Sequence, residues 1–280
     1  MNYIFFGTPK FAAIILEKLI AADMPPALVV CNPDKPVGRK KVLTAPAVKT
    51  RIMNQESRIK VLQPEKLTGS EFENLKSEII NLKCEVGIVA AYAKIIPKEV
   101  IDLFPKGIIG VHPSLLPKYR GATPIQSVIL NGEKETGVTL YVLDDKVDHG
   151  PIITESKYEV AETDTYLALE EKLARMGGEL LASVIEPYAR GEIEPKEQNH
   201  AEATLTKKFT TEDGYVDLGK DDPETIARKI RALNPEPGVW TIQNGKRLKL
   251  LEVKKIDGTW TITKTQLEGK NPKEVRMVVG

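Results

Sequence analysis

The chain has 280 residues, of which 41% are hydrophobic and 28% are charged, and its formal net charge at pH 7 is +1. This composition predicts a globular protein with a sizeable core, and the charge excludes a strongly basic nucleic-acid binder over the chain as a whole. The charge is uneven, however. The stretch from Leu205 to the end carries 15 Lys and Arg against 11 Asp and Glu, which favours a polyanionic partner only weakly, since solvated surface lysines explain it as well.

Cysteine and histidine usage argues against redox and metal chemistry. Cys31 and Cys84 lie far apart in apolar contexts, which predicts small buried side chains and no disulfide. His112, His149 and His200 lack metal-ligand spacing, so no metal site is expected. The chain starts with a strand-like run instead of a signal peptide, and no apolar run approaches the roughly 20 residues of a membrane span. We therefore expect a cytoplasmic protein, and a monomer.

Strands and helices alternate over the first part of the chain. The predicted strands are 3–6, 27–31, 60–62, 86–91, 108–112 and 138–143, and the predicted helices are 11–22, 71–82, 97–103, 123–131 and 166–188. This alternation predicts an α/β fold with a Rossmann-like, mostly parallel sheet and helices on both faces.

The last part of the chain has a different pattern. Residues 191–206 are charged and polar and predict a linker. A helix at 223–233 then precedes short alternating runs at 239–243, 247–254 and 259–263, which are separated by the hairpin-turn pairs Asn244-Gly245 and Asp257-Gly258. The pattern predicts a small OB-like β-barrel. The expected organisation is a catalytic domain over 1–190, the linker, and a C-terminal domain over 207–280 that looks short.

The segment GVHPSLLPKYRG at 110–121 holds the first candidate catalyst. Pro113 lacks a backbone donor and ends the preceding strand, so His112 is expected at the strand's C-terminal tip. Ligands bind at that edge of open parallel sheets. His112 is therefore predicted to lie where a substrate binds.

A second polar landmark is Asp148, which follows a predicted strand and precedes Gly150-Pro151. A loop carboxylate near a histidine can orient the ring and accept a proton during a reaction. The alternative is an aspartate that only satisfies the backbone donors of its own turn, which is common. On spacing alone, the aspartate that satisfies its own turn is the favoured interpretation.

Two loops have compositions that suggest phosphate contacts. In the segment DKPVGRKK at 34–41, Arg39, Lys40 and Lys41 are candidates for contacts with a nucleic-acid backbone, although most loops of this kind are merely solvated. The segment GTPK at 7–10 lacks the full G-x-G-x-x-G pattern, and a plain turn before a helix is the better interpretation.

Together these motifs resemble those of the methionyl-tRNA formyltransferases. The matching segments are 6–11, 32–39, 63–64, 89–92, 96–97, 112–121, 124–126, 136–139 and 148–150, followed by 231–237 and 239–240 near the C-terminus. The last two separate the chain from other folate-dependent formyltransferases, which share only the core motif. The resemblance implies formyl transfer from 10-formyltetrahydrofolate to the α-amino group of methionine on initiator tRNA.

The resemblance also implies a role for each candidate residue. His112 would donate a hydrogen bond to the oxyanion of the tetrahedral intermediate, and Asp148 would orient His112 and help to remove the amine proton. The basic loop at 39–41 would enter the acceptor arm of the tRNA, and the C-terminal domain would hold the tRNA backbone. The implied folate pocket is lined by Ser114, Leu115, Leu116 and Pro117, with Ala90, Tyr92 and Lys94.

The chain departs from the family pattern at two positions. Gly110 stands where the family has an asparagine whose amide helps to hold the oxyanion, and losing such a donor costs about 2.7–4 kcal/mol. His149, Lys94 or a water is a candidate replacement, and on this view Gly110→Asn raises the rate of transfer. Ala93 stands where the family has glycine, which predicts a reshaped folate pocket. The alternatives are a sugar-nucleotide N-formyltransferase and a folate- or tRNA-binding homologue with weak activity.

Overall fold

The computed structural model describes residues 1–38, 40–54 and 59–279. The chain forms two compact units that interleave along the sequence. The first unit comprises Met1–Arg120, Gly137–Lys157 and Glu171–Ala203. The second comprises Gly121–Thr136, Tyr158–Glu170 and the chain from Thr204 onward. No helix in the described part of the chain has the length and apolar character needed to cross a membrane.

The strands are β1 (Tyr3–Gly7), β2 (Leu28–Val30), β3 (Lys35–Val37), β4 (Val42–Thr44), β5 (Lys60–Leu62), β6 (Val86–Ala90), β7 (Ile108–His112), β8 (Glu135–Val142), β9 (Ile152–Glu159), β10 (Val239–Gln243), β11 (Lys246–Ile256), β12 (Thr259–Leu267) and β13 (Lys273–Val278). The helices are α1 (Lys10–Ala21), α2 (Ala47–Asn54), α3 (Gly69–Asn81), α4 (Lys98–Ile101), α5 (Pro124–Asn131), α6 (Tyr166–Ala189) and α7 (Pro223–Leu233). Two short 3-10 turns cover His200–Glu202 and Glu212–Gly214.

The main sheet has seven strands in the order β5-β2-β1-β6-β7-β8-β9. The first five run parallel to their neighbours, and β8 runs antiparallel to β7. The parallel strands are short apolar runs because helices cover both faces of such a sheet. The predicted mostly parallel fold is confirmed.

The core of the first unit forms where helices pack on this sheet. Every residue of β1 is buried, and α1 buries a face that includes Phe11, Ile15 and Leu19. In α3, Leu75 and Ile79 stand one helical turn apart and are both buried in the same cluster. Cys31 and Cys84 are buried thiols, as predicted, and burial raises the pKa of each to about 11.

The second unit contains the antiparallel sheet β10-β11-β12-β13 and helix α7. Asp222 caps α7 by accepting a hydrogen bond from the backbone nitrogen of Thr225 at 2.9 Å, and Pro223 occupies the first helical turn. Both predicted hairpin turns are confirmed. In each turn the two central residues have positive φ, with values of 50° and 75° at Asn244-Gly245 and 49° and 79° at Asp257-Gly258.

The sequence predicts neither the strands β3 and β4 of the hairpin nor the elements α2, β9 and β13. All six strand residues of the hairpin are exposed, so no apolar alternation marks it. In the predicted linker, Lys196 pairs with Ile152 through two backbone hydrogen bonds of 2.7 and 2.8 Å, and Gln198 is buried. Residues 191–203 therefore belong to the first unit.

Candidate active site

His112 ends β7 at the carboxyl edge of the sheet and is only 6% exposed. Its Nδ1 lies 3.5 Å from Oδ2 of Asp148, and its Nε2 lies 2.9 Å from the carbonyl oxygen of Tyr119. A carbonyl oxygen can only accept a hydrogen bond, so Nε2 carries the proton. Nδ1 is thus the ring nitrogen that faces the carboxylate. The structure brings together the two side chains that the sequence singled out.

Asp148 lies in the loop between β8 and β9 with φ of +48°, a left-handed conformation that is uncommon outside glycine. Gln198 stabilises this loop, because its Nε2 donates to the carbonyl oxygens of Asp148 at 3.0 Å and Gly150 at 2.7 Å. The carboxylate itself accepts a hydrogen bond of 2.6 Å from the Tyr141 hydroxyl. Contacts with side chains of β7 and β8 favour the catalytic interpretation of Asp148 over a turn-capping one.

A network of polar side chains supports the Asp148 loop. Arg120 is buried and donates to Oε1 of Gln198 through Nε at 3.2 Å and Nη2 at 2.6 Å, and Nη2 also lies 2.9 Å from Nδ1 of His200. The rings of His200 and His149 stack with centroids 4.0 Å apart, and Nδ1 of His149 lies 2.6 Å from Oδ2 of Asp144. Arg120 can only donate a hydrogen bond, so Nδ1 of His200 is the acceptor. Desolvation and the charges of His149 and Arg120 lower the pKa of His200.

The segment 114–117, predicted to line a folate pocket, is held in place by hydrogen bonds. The Ser114 hydroxyl is fully buried and donates to a backbone carbonyl four residues later at 2.6 Å. Thr139 Oγ1 donates to the carbonyl of Ser114 at 2.7 Å and accepts from the backbone nitrogen of Leu116 at 3.1 Å. Leu116 is buried, whereas Leu115 and Pro117 are partly accessible. The segment presents a fixed, mainly apolar surface beside His112.

The second predicted pocket segment follows β6, the parallel neighbour of β7. Ala90 is buried at the end of β6, and the Tyr92 ring packs edge-on against Phe6 with centroids 5.7 Å apart. Ala93, at a position where the resemblance implies glycine, has φ of +63°, a conformation that glycine adopts more readily. Lys94 donates to the Pro64 carbonyl, and burial lowers the pKa of its ammonium group.

Two buried polar atoms in this region have no hydrogen-bond partner within the described residues. They are Oδ1 of Asn32 and the hydroxyl of Tyr92. The amide nitrogen of Asn32 donates to the Tyr92 backbone carbonyl at 3.2 Å, so the two residues are already in contact. Buried polar groups normally have partners, and a polar ligand at this edge would supply one. This region therefore fits a ligand that has hydrogen-bonding groups.

The basic segment forms the exposed β3–β4 hairpin. Lys40 and Lys41 are exposed in its turn, and Arg39 lies outside the described residues. Asp34 precedes β3 and accepts hydrogen bonds from Gln63 at 2.7 Å and Lys49 at 2.9 Å, which lower the pKa of its carboxyl group. The base of the hairpin is thus fixed, while its turn points basic side chains into solvent.

Gly110 lies opposite Tyr141 in the register of β7 and β8. A Cβ atom at position 110 would lie 2.5 Å from Cζ of Tyr141 and 2.9 Å from Cδ1 of Leu143, closer than real Cβ atoms approach other groups. The phenol therefore occupies the space that a side chain at position 110 needs. The residues considered as replacements for the missing amide, His149 and Lys94, bind Asp144 and the Pro64 carbonyl instead.

Sequence reasoning missed Tyr141, Gln198 and Arg120. Tyr141 lies in a strongly alternating strand and has no signal of its own, because the sequence does not show the strand register that pairs it with Gly110. Gln198 lies in a polar segment that predicts only a linker. Arg120 lies inside the 110–121 motif, and its place there was a reason to consider it as a site residue. The described residues contain no cluster of three or more His, Cys, Asp or Glu side chains able to hold a metal ion.

Comparison with known proteins gives matches along most of the chain. The formyl transferase family model matches residues 1–185, and the model of the formyl transferase C-terminal domain matches residues 208–264. The methionyl-tRNA formyltransferase of Chloroflexus aurantiacus is 41% identical over 261 residues, which are 92% of this chain and 82% of the relative. The methionyl-tRNA formyltransferase of Caldicellulosiruptor saccharolyticus is 38% identical over 276 residues, which are 97% of this chain and 86% of the relative.

Solved structures show the same fold at lower identity. A methionyl-tRNA formyltransferase from Clostridium thermocellum matches with a TM-score of 0.61 and 18% identity, over 99% of both chains. An N-formyltransferase from Helicobacter canadensis, solved with folinic acid and dTDP-3-aminofucose, matches with a TM-score of 0.61 and 20% identity over 98% of both chains. From the family model and the close relatives, we conclude that this chain belongs to the formyl transferase family.

Proposed function

We propose that this enzyme transfers the formyl group of 10-formyltetrahydrofolate to the α-amino group of methionine on initiator tRNA. The observation that carries the proposal is the contact of His112 with Asp148 at the carboxyl edge, beside the fixed 114–117 segment. The relatives that match more than 90% of the chain are named for this activity. The C-terminal domain match at 208–264 includes the motifs at 231–237 and 239–240, whose resemblance to the methionyl-tRNA formyltransferases supports a tRNA substrate.

The proposed chemistry needs a hydrogen-bond donor and a proton acceptor close together. The methionine amine attacks the formyl carbon, forming the new C–N bond and turning the formyl oxygen into an oxyanion. His112 donates a hydrogen bond to that oxyanion, and Asp148 accepts the proton from the attacking nitrogen. The bond between the formyl carbon and N10 of the folate then breaks, and N10 takes the proton. The products are formylmethionyl-tRNA and tetrahydrofolate.

The other predicted residues take supporting roles in this proposal. The surface of 114–117, with Ala90, Tyr92 and Lys94, binds the folate, and the turn of the β3–β4 hairpin contacts tRNA phosphates. Residues 1–190 act as the catalytic domain, residues 191–203 pack in the same unit and help to hold the Asp148 loop, and residues 207–280 act as the tRNA-binding domain. One chain supplies every residue of this mechanism, so we expect a monomer. Because translation begins in the cytoplasm, we also expect the enzyme to act there.

The proposal is tested by measuring formylation under single-turnover conditions. The purified chain is mixed with 10-formyltetrahydrofolate and either initiator methionyl-tRNA or a dTDP-linked amino sugar, and each N-formyl product is quantified. We expect product with methionyl-tRNA only. Product with the amino sugar alone would replace the proposal with a sugar N-formyltransferase. Folate and tRNA binding without product in either arm would identify a binding homologue.

A further inference from the structure

The side chain of Tyr141 contacts both Gly110, near the end of β7, and Asp148. Its ring lies over Gly110, its hydroxyl donates to Oδ1 of Asp148 at 2.6 Å, and Oδ2 of the same carboxylate faces Nδ1 of His112. In a strand, residues two apart point to the same face, so a side chain at position 110 would project on the same side as His112. The phenol hydroxyl stands one bond beyond the Cζ atom that fills this space.

We propose that Tyr141 is a positioning residue of this active site, whose hydroxyl holds the Asp148 carboxylate towards His112, and that Gly110 is required to admit its ring. The inference rests on the proposed function, since it assigns Tyr141 a part in that reaction. It changes the interpretation of Gly110. The glycine then makes room for the Tyr141 ring, whose hydroxyl donates to Asp148, and a side chain at position 110 would displace that ring.

The surroundings of the tyrosine suit this role. Tyr141 is 6% exposed, and burial followed by the charge and hydrogen bond of Asp148 raises the pKa of its hydroxyl well above 10. The hydroxyl therefore stays protonated and remains a donor. A hydrogen bond to a charged group contributes more than one between neutral groups.

Two separate contacts thus fix Asp148. Gln198 holds the backbone of its loop through the carbonyl oxygens of Asp148 and Gly150, whereas Tyr141 holds the carboxylate. The backbone contact does not restrict rotation of the side chain about its own bonds. The tyrosine bond holds the carboxylate in the orientation in which Oδ2 meets His112. Loss of the hydroxyl is therefore expected to slow the chemical step and to lower stability somewhat, without changing the fold.

The decisive variant is Tyr141→Phe, which removes the hydroxyl and keeps the ring. We expect kcat for formylation to fall roughly 10- to 100-fold, because one hydrogen bond to a charged group is removed, while KM for both substrates stays unchanged. The matched control is Tyr188→Phe, which removes another buried hydroxyl, one that donates to the Lys106 carbonyl at 2.8 Å. The control should keep the wild-type kcat. A wild-type kcat in Tyr141→Phe, or an equal loss in the control, would overturn the proposal.

A second measurement needs no substrate. Unfolding is compared for the wild type, Tyr141→Phe, Asp148→Ala and the double variant, and we expect the two substitutions to be non-additive because each removes the same bond. Additive effects would overturn the proposed bond. If the wild type does not formylate methionyl-tRNA but the coupling is present, the proposed function fails while the bond between the two side chains stands. If the wild type is active and Tyr141→Phe retains its kcat, the positioning role alone fails.

Discussion

Two polar regions of the first unit are organised in opposite ways. At the end of β7, His112 and Tyr141 are each 6% exposed, and they contact the carbonyl oxygen of Tyr119 and the Asp148 carboxylate. In the β3–β4 hairpin every strand residue is exposed, and side-chain hydrogen bonds to Asp34 hold its base. The first region is largely buried, and the second is open to solvent.

The difference follows from what each region is proposed to do. Stabilising a transient oxyanion requires hydrogen-bond donors that already point at the position of the oxyanion, in surroundings from which competing water is excluded. Contact with a phosphate backbone requires accessible charge, and it tolerates mobile side chains because it depends little on exact geometry. Substitutions should therefore change the rate of chemistry in the first region and the salt dependence of tRNA binding in the second.

The largest expected effect comes from His112→Ala. Loss of the proposed donor should lower single-turnover formylation by about 10²- to 10⁴-fold. Folate affinity, measured by fluorescence titration, should stay near that of the wild type, since the 114–117 segment has its own hydrogen bonds. Near-normal turnover would remove His112 from the mechanism, and a parallel loss of folate affinity would show a structural role instead.

The next effect is expected from Gly110→Asn. A side chain at this position collides with the Tyr141 ring, so we expect destabilisation of about 1–3 kcal/mol from overpacking. Displacing the ring also breaks its bond to Asp148, and the rate should fall by roughly tenfold or more. Thermal unfolding of the double variant Gly110→Asn with Tyr141→Ala should show that much of the lost stability is recovered, because the clashing ring is gone. A faster single variant would instead support the missing-amide view.

A smaller effect is expected from Gln198→Ala. This buried amide accepts a hydrogen bond from Arg120 and donates to two carbonyl groups of the Asp148 loop. Leaving these buried groups without partners costs about 1–3 kcal/mol of stability. The unfolding temperature should fall, and kcat should decrease by less than in His112→Ala because the Tyr141 bond to Asp148 remains. Unchanged stability together with an unchanged kcat would mean that the loop needs no such support.

The smallest effect on the rate is expected in the hairpin, from Lys40→Gln with Lys41→Gln. Formylation at saturating tRNA should be unchanged, while the slope of log affinity for tRNA against log salt should decrease by about one unit for each lysine that binds a phosphate in the wild type. The matched control is Lys83→Gln with Lys106→Gln, which removes two exposed charges beside the amino ends of β6 and β7. Equal slopes in both variants would show that the hairpin is only solvated. Arg39→Gln extends the series.

The sequence predicts those parts of the molecule that carry a periodic apolar pattern or a backbone-specific residue. β1, α1 and β7 have such a pattern, and Pro113 marks the strand end that carries His112. The β3–β4 hairpin has no such signal because both of its faces are in water. The pairing of Gly110 with Tyr141 depends on strand register, which arises only when the sheet assembles.

The close approach of Tyr141 to Gly110 restricts the order in which these two positions can change. A side chain introduced first at position 110 meets the phenol ring, so that step passes through a destabilised protein. Shrinking position 141 first opens the space, but it releases Asp148 until another donor arrives. Neither residue can be exchanged alone without loss, which makes the pair epistatic. We therefore expect the glycine and the tyrosine to be retained or replaced together.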